Sequence, residues 1–96
     1  MQWYIAQYAH LQGKPCITHN WRSDFTSISN IRLVVAIPSY QVLEPCRHYI
    51  HFLGGLFKEP IVEKDSYANV PSSPGLGVDI IGDADKKFPY HPNNIG

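Results

Sequence analysis

Two short β-prone runs, Cys16–Thr18 and Gln41–Glu44, flank a single apolar-periodic segment that Pro38 stops. Between them Ile28, Ile31, Val34 and Val35 recur on one helical face, behind the candidate N-caps Asp24, Thr26 and Ser27. A tight hairpin cannot join two strands separated by a helix, whereas a crossover of this length joins parallel neighbours. Each run ends in polar residues: His19 and Asn20 after the first, Glu44 with Pro45 behind it in the second. A further helix is expected over residues 2–12, where Ile5, Tyr8, Ala9 and Gln12 share helical spacing and Gly13 suits the C′ position. The order is therefore helix, strand, helix, strand, and the class α/β.

A parallel sheet buries both faces under helices and needs several such units. Two units leave edges and apolar faces uncovered, so the rest of the sheet is expected upstream of Met1. "CRHYIHFLGGLF" suggests a brief helical turn broken by Gly54 and Gly55. From Lys58 the chain reads as extended segments punctuated by turns, and "PYHPNNIG" as an irregular tail. The expected division is a helix-strand-helix-strand piece over 1–57, an extended arm over 58–82 and an irregular tail over 83–96.

Composition narrows the function classes. With 44% hydrophobic and 17% charged residues the chain should fold rather than remain disordered. Eight basic side chains balance eight acidic ones without clustering, which argues against nucleic acid as a partner. The apolar run Ile31–Ile37 is interrupted by Arg32 and falls far short of the roughly 20 residues of a membrane span. No signal-peptide or lipidation pattern opens the chain, and two cysteines are too few for a disulfide framework. Cytoplasmic localisation with reduced thiols is the expectation.

His19 and Glu44 are the candidate catalytic residues. Each stands at the carboxyl end of an expected parallel strand, where βα architectures gather their active-site groups. A rival reading takes Cys16, His19, Cys46 and His48 as zinc ligands of a small metal-stabilised domain. The spacing lacks C-x2-C and H-x3-H pairs, and a period-two strand would turn Cys16 away from His19. No G-x-S-x-G elbow is present, and the "GLG" of "PGLGV" follows prolines and lacks the lysine and helix start of a phosphate loop.

"ITHN", then "VLEP", then "EPIVEKDSYANVPSSPGLGVDI" together carry a resemblance. Over residues 5–80 the chain resembles the C-terminal end of the mandelate racemase and muconate lactonising branch of the enolase superfamily, most closely its acid-sugar dehydratases. The resemblance implies the last two βα units of a (β/α)8 TIM barrel, followed by an exit arm. It implies that His19, at the end of the seventh strand, is a general acid/base and that Glu44, at the end of the eighth, hydrogen-bonds the substrate carboxylate. "PSSPGLGVDI" would be the arm leaving the barrel, its glycines allowing tight turns and its strand-like end pairing with the capping domain.

The parent reaction implied is removal of a proton α to a carboxylate, an enediolate intermediate, and loss of water, with Mg²⁺ as cofactor and a sugar acid as substrate. The family's magnesium carboxylates lie on strands this chain does not contain, and a full barrel takes about 250 residues. The expectation is thus a truncated piece, inactive alone and binding no Mg²⁺ itself. The alternative is a non-catalytic interaction module that pairs through exposed strands, with itself or with a full-length homologue.

Overall fold

The structure, a computed structural model, describes residues 1–21, 23–38, 42–44 and 55–92. The expected helical turn after Cys46, the zinc candidates Cys46 and His48, and the last residues of the tail lie outside the described residues.

Helix α1 spans Gln2–Leu11 and ends at Gln12. Gly13 follows at φ 64, the left-handed conformation expected of a C′ glycine, and donates its N–H to His10 O at 2.9 Å. Helix α2 spans Asp24–Ala36, and its N-cap is Ser23 rather than Asp24, Thr26 or Ser27. The extended backbone of Ser23 aims its hydroxyl at the N–H of Thr26, 3.4 Å away. Asp24 begins the first turn, where the helix dipole favours a negative charge. At the other end Ile37 turns extended before Pro38, as a residue preceding proline must.

The two β-prone runs lie side by side in parallel, and they touch at one bridge, Thr18 to Leu43, instead of forming full strands. Among the described residues neither run has a second strand neighbour, so no ladder is there to extend the pairing. The sheet proper is elsewhere. Strands β1 (Glu63–Lys64) and β2 (Tyr67–Ala68) form an antiparallel hairpin closed by Asp65 and Ser66 at φ 52 and 66. Two consecutive positive φ values are those of a type I′ turn.

The arm folds back on the chain. Gly75 and Gly77, at φ 65 and 80, shape a turn closed by Gly77 N–H to Pro74 O at 3.1 Å. Arg32 of α2 clamps it, donating Nε–H to Leu76 O at 3.2 Å and Nη2–H to Ser73 O at 3.0 Å. The strand-like end, expected to pair with another domain, instead pairs with the chain's own residues 56–58. Phe57 and Ile80 form an antiparallel bridge, Lys58 N–H bonds Asp79 O and Ile81 N–H bonds Leu56 O, both at 2.9 Å. Burial of Phe57 in the core draws this stretch inward. Beyond it, the segment read as irregular holds a short helix, α3 (Ala84–Lys87), with Lys86 and Lys87 in the last turn, where the dipole favours cations.

Helix α2, the second β-prone run, the hairpin and the arm share one core. Ile28 and Ile31 of α2 meet Phe57, and Leu43, Leu56, Ile61, Ala68 and Val78 pack around them. Phe25 meets Phe57 edge to face, with centroids 5.1 Å apart. The result is a mixed helix and small-sheet α/β arrangement organised about α2. Among the described residues no helix is long and apolar enough to cross a membrane.

Candidate functional site

The parallel bridge sets the site. Thr18 and Leu43 are partners, so the next residue of each run, His19 and Glu44, sits at the same level on neighbouring chains about 4.8 Å apart. Their side chains meet: His19 Nδ1 lies 3.2 Å from Glu44 Oε2. The same oxygen accepts the backbone N–H of Asn20 at 3.3 Å. Trp21 stacks on the His19 ring, with centroids 6.0 Å apart and planes 12° from parallel. Both members of the pair are open to solvent, 75% and 54% exposed. An ion pair so exposed is worth about 0–1 kcal/mol, so its value lies in geometry rather than stability.

A buried polar network beneath the pair supports that geometry. Asn20 is buried, and its Oδ1 accepts from Ser27 Oγ at 3.2 Å and from Asn30 Nδ2 at 3.5 Å. Asn30 Nδ2 also donates to the His19 carbonyl at 3.0 Å. Helix α2 thereby holds the His19 carbonyl and the Asn20 side chain through two buried side chains, and the Asn20 N–H in turn holds Glu44. The sequence analysis singled out His19 and Glu44 but not this support. The available signal was the polar series Asp24, Ser27 and Asn30, spaced i, i+3 and i+6 beside the apolar stripe of α2.

With Nδ1–H donating to Oε2, the imidazole holds its lone pair at Nε2, which can accept a proton. Trp21 fixes the plane of the ring, and Glu44 fixes its rotation. Glu44 Oε1 has no partner among the described residues. The arrangement is thus an oriented base with a carboxyl group beside it.

Members of the enolase superfamily typically use Mg²⁺, an ion that takes near-octahedral oxygen coordination. Among the described residues no three His, Cys, Asp or Glu side chains gather around a common point. Glu44 is the carboxylate at the site, and Oε2 is already engaged by His19 and Asn20. The described residues therefore do not fit that ion. Of the zinc candidates, Cys16 is a free, half-buried cysteine and His19 meets Glu44, while Cys46 and His48 lie outside the described residues. A shallow cavity of about 240 Å³ lies between the hairpin and the arm, lined by Glu59, Ile61, Val70, Ser73 and Val78, and includes neither His19 nor Glu44.

No curated protein and no solved structure gave a significant match to the chain. A family model, described as "Enolase C-terminal domain-like", matches residues 4–84. That span takes in most of α1, the parallel bridge, α2, the hairpin and the arm, and with them His19 and Glu44. The chain belongs to the enolase C-terminal domain-like family.

Proposed function

We propose that this chain is the C-terminal part of an acid-sugar dehydratase, supplying His19 and Glu44 to an active site that earlier barrel strands complete. The observation that supports it is the contact between His19 Nδ1 and Glu44 Oε2 at the adjoining ends of two parallel runs. In this reading His19 Nε2 accepts the proton α to the substrate carboxylate. The β-hydroxyl then leaves as water, protonated by the imidazolium so formed. The enol that remains tautomerises to a 2-keto-3-deoxy acid, which balances the reaction as loss of one water.

A carboxylate only accepts hydrogen bonds, so Glu44 can bond the substrate carboxylate only when it carries a proton. In this reading that proton sits on Oε1, since Oε2 already accepts from His19 and Asn20. The negative charge that develops on the enediolate calls for cations, and the described residues gather no metal-binding group; in this reading the earlier strands supply it, and the 96-residue chain is inactive alone.

The test has two steps. The mass of the cellular polypeptide that contains residues 69–86 is measured, and that polypeptide is assayed with a panel of aldonic and aldaric acids and Mg²⁺ for 2-keto-3-deoxy acids. The 96-residue chain should be inactive, and a longer polypeptide active but silenced by His19→Asn. Dehydration by the 96-residue chain, or full activity in His19→Asn, would overturn the reading.

A further inference from the structure

Asn30 stands among the core residues of α2, flanked by Ile28 and Ile31, and is itself only 4% exposed. A buried amide costs stability unless its hydrogens find acceptors. Here both do: Nδ2 donates to the His19 carbonyl at 3.0 Å and to Asn20 Oδ1 at 3.5 Å. Leucine would fill a similar volume with no polar group to satisfy, so what the amide adds is direction.

The first of these bonds ends on the peptide group that joins His19 to Asn20. That group is trans and planar, so its C=O and N–H point in opposite directions. The carbonyl accepts from Asn30, and the N–H donates to Glu44 Oε2 at 3.3 Å. One peptide thus reaches from α2 to the carboxylate. Turning it would break both bonds together, and a hydrogen bond at the carbonyl polarises the N–H and strengthens its donation. The second bond, shared at Asn20 Oδ1 with Ser27 Oγ at 3.2 Å, anchors the same unit through its side chain.

From this relay we infer that Asn30 is a positioning residue of the site. It sets the His19–Asn20 peptide, the peptide N–H holds Glu44 Oε2, and Oε2 holds the imidazole of His19. The inference deepens the dehydratase reading and rests on it for what His19 and Glu44 do to a substrate. The relay itself is tested without substrate.

Nuclear magnetic resonance of the 15N-labelled 96-residue chain follows its two ends, with far-UV circular dichroism to verify the helices. Glu44→Ala, at an exposed position, removes one end. The Asn20 amide proton should move upfield as its hydrogen bond is lost, and the side-chain amide protons of Asn30, beyond the peptide, should move with it. Asn30→Leu removes the other end. The Asn20 amide should then exchange faster with solvent and lose its response to Glu44→Ala in the double variant, a coupling expected of groups in one network. Val34→Ala thins the core of the same helix and should leave that response in place, which separates positioning from stability. In a longer, active polypeptide Asn30→Leu should lower kcat/KM by about 10- to 100-fold, as displaced supporting groups do, and Val34→Ala should not.

If Asn30→Leu unfolds, the effect of Glu44→Ala on the Asn30 side chain decides. Asn30 protons blind to Glu44→Ala, an Asn20 response that survives Asn30→Leu, or an unchanged kcat/KM in Asn30→Leu overturns the inference. A longer polypeptide that dehydrates no acid overturns the dehydratase reading instead, and the resonances still judge the relay.

Discussion

Gly77 and Gly75 stand two residues apart in the arm, both at positive φ, and alanine at the two positions should have unequal costs. Placing a side chain in the left-handed region costs about 1–2 kcal/mol wherever it is done. At Gly75, φ 65, nothing lies within 4 Å of the new Cβ, so that is the whole effect. At Gly77, φ 80, the new Cβ would lie 2.6 Å from Pro71 Cβ and collide with the Arg32 guanidinium. Carbon atoms sit best at about 3.5–4.0 Å, so both Pro71 and Arg32 must give way. Moving Arg32 forfeits its bonds to Leu76 O and Ser73 O. Bonds from a charged donor are worth about 1.5–3 kcal/mol each when sheltered, and these are exposed, so about 0.5–1 kcal/mol each is appropriate. Gly77→Ala should thus cost about 2–4 kcal/mol against about 1–2 for Gly75→Ala.

Urea unfolding followed by tryptophan fluorescence measures the two costs, and amide exchange over residues 73–81 shows whether the arm lifts from α2. Arg32→Ala supplies the third side of a cycle. With the guanidinium gone, Gly77→Ala should cost about 1 kcal/mol less than in the parent chain, a coupling typical of side chains in contact. Equal costs for the two alanines, or no coupling to Arg32, would refute the claim that this glycine is required by the clamp.

Three further outcomes follow from named contacts. Ser66→Gly should stabilise the hairpin by about 0.5–1 kcal/mol, since Ser66 holds φ 66 in a turn position that glycine fills without strain; a lower urea midpoint would contradict this. Thr18 Oγ1 is buried with no partner among the described residues, so Thr18→Val should raise stability by about 1 kcal/mol, and a loss of stability would show that the hydroxyl is satisfied. Asn30→Ala removes a bond to the His19 carbonyl and one to Asn20; it should cost about 1–3 kcal/mol and broaden the His19 and Glu44 side-chain resonances. Unchanged resonances would mean that α2 does not position the pair.

The crossover from the first β-prone run to the second was legible because its signals are local: Pro38 ends α2, and polar residues end both runs. That His19 and Glu44 close the same end of the two runs was legible for the same reason, whereas their equal level is set by the Thr18 to Leu43 bridge. Other features depend on contacts far apart in the chain. The hairpin escaped because its turn is Asp-Ser, not the Asp-Gly or Asn-Gly that announces type I′. Ser23 was passed over as a cap because Asp24, Thr26 and Ser27 compete for that role on residue type, and only backbone conformation separates them.

The arm is the instructive case. Its glycines announced turns, but nothing local to "PSSPGLGVDI" reveals that Arg32, forty-odd residues earlier, grips its carbonyls, or that Phe57 and Ile80 pair. Arg32 looked instead like an interruption in an apolar run. In the folded chain that interruption is what fastens the arm to the helix supporting His19, so arm and site share one element. Loosening the clamp should leave the Asn20, Ser27 and Asn30 bonds intact, because Ser27 and Asn30 lie on the side of α2 away from Arg32. Damage to the site from Arg32→Ala as large as that from Asn30→Ala would mean that α2 itself depends on the arm to hold its place.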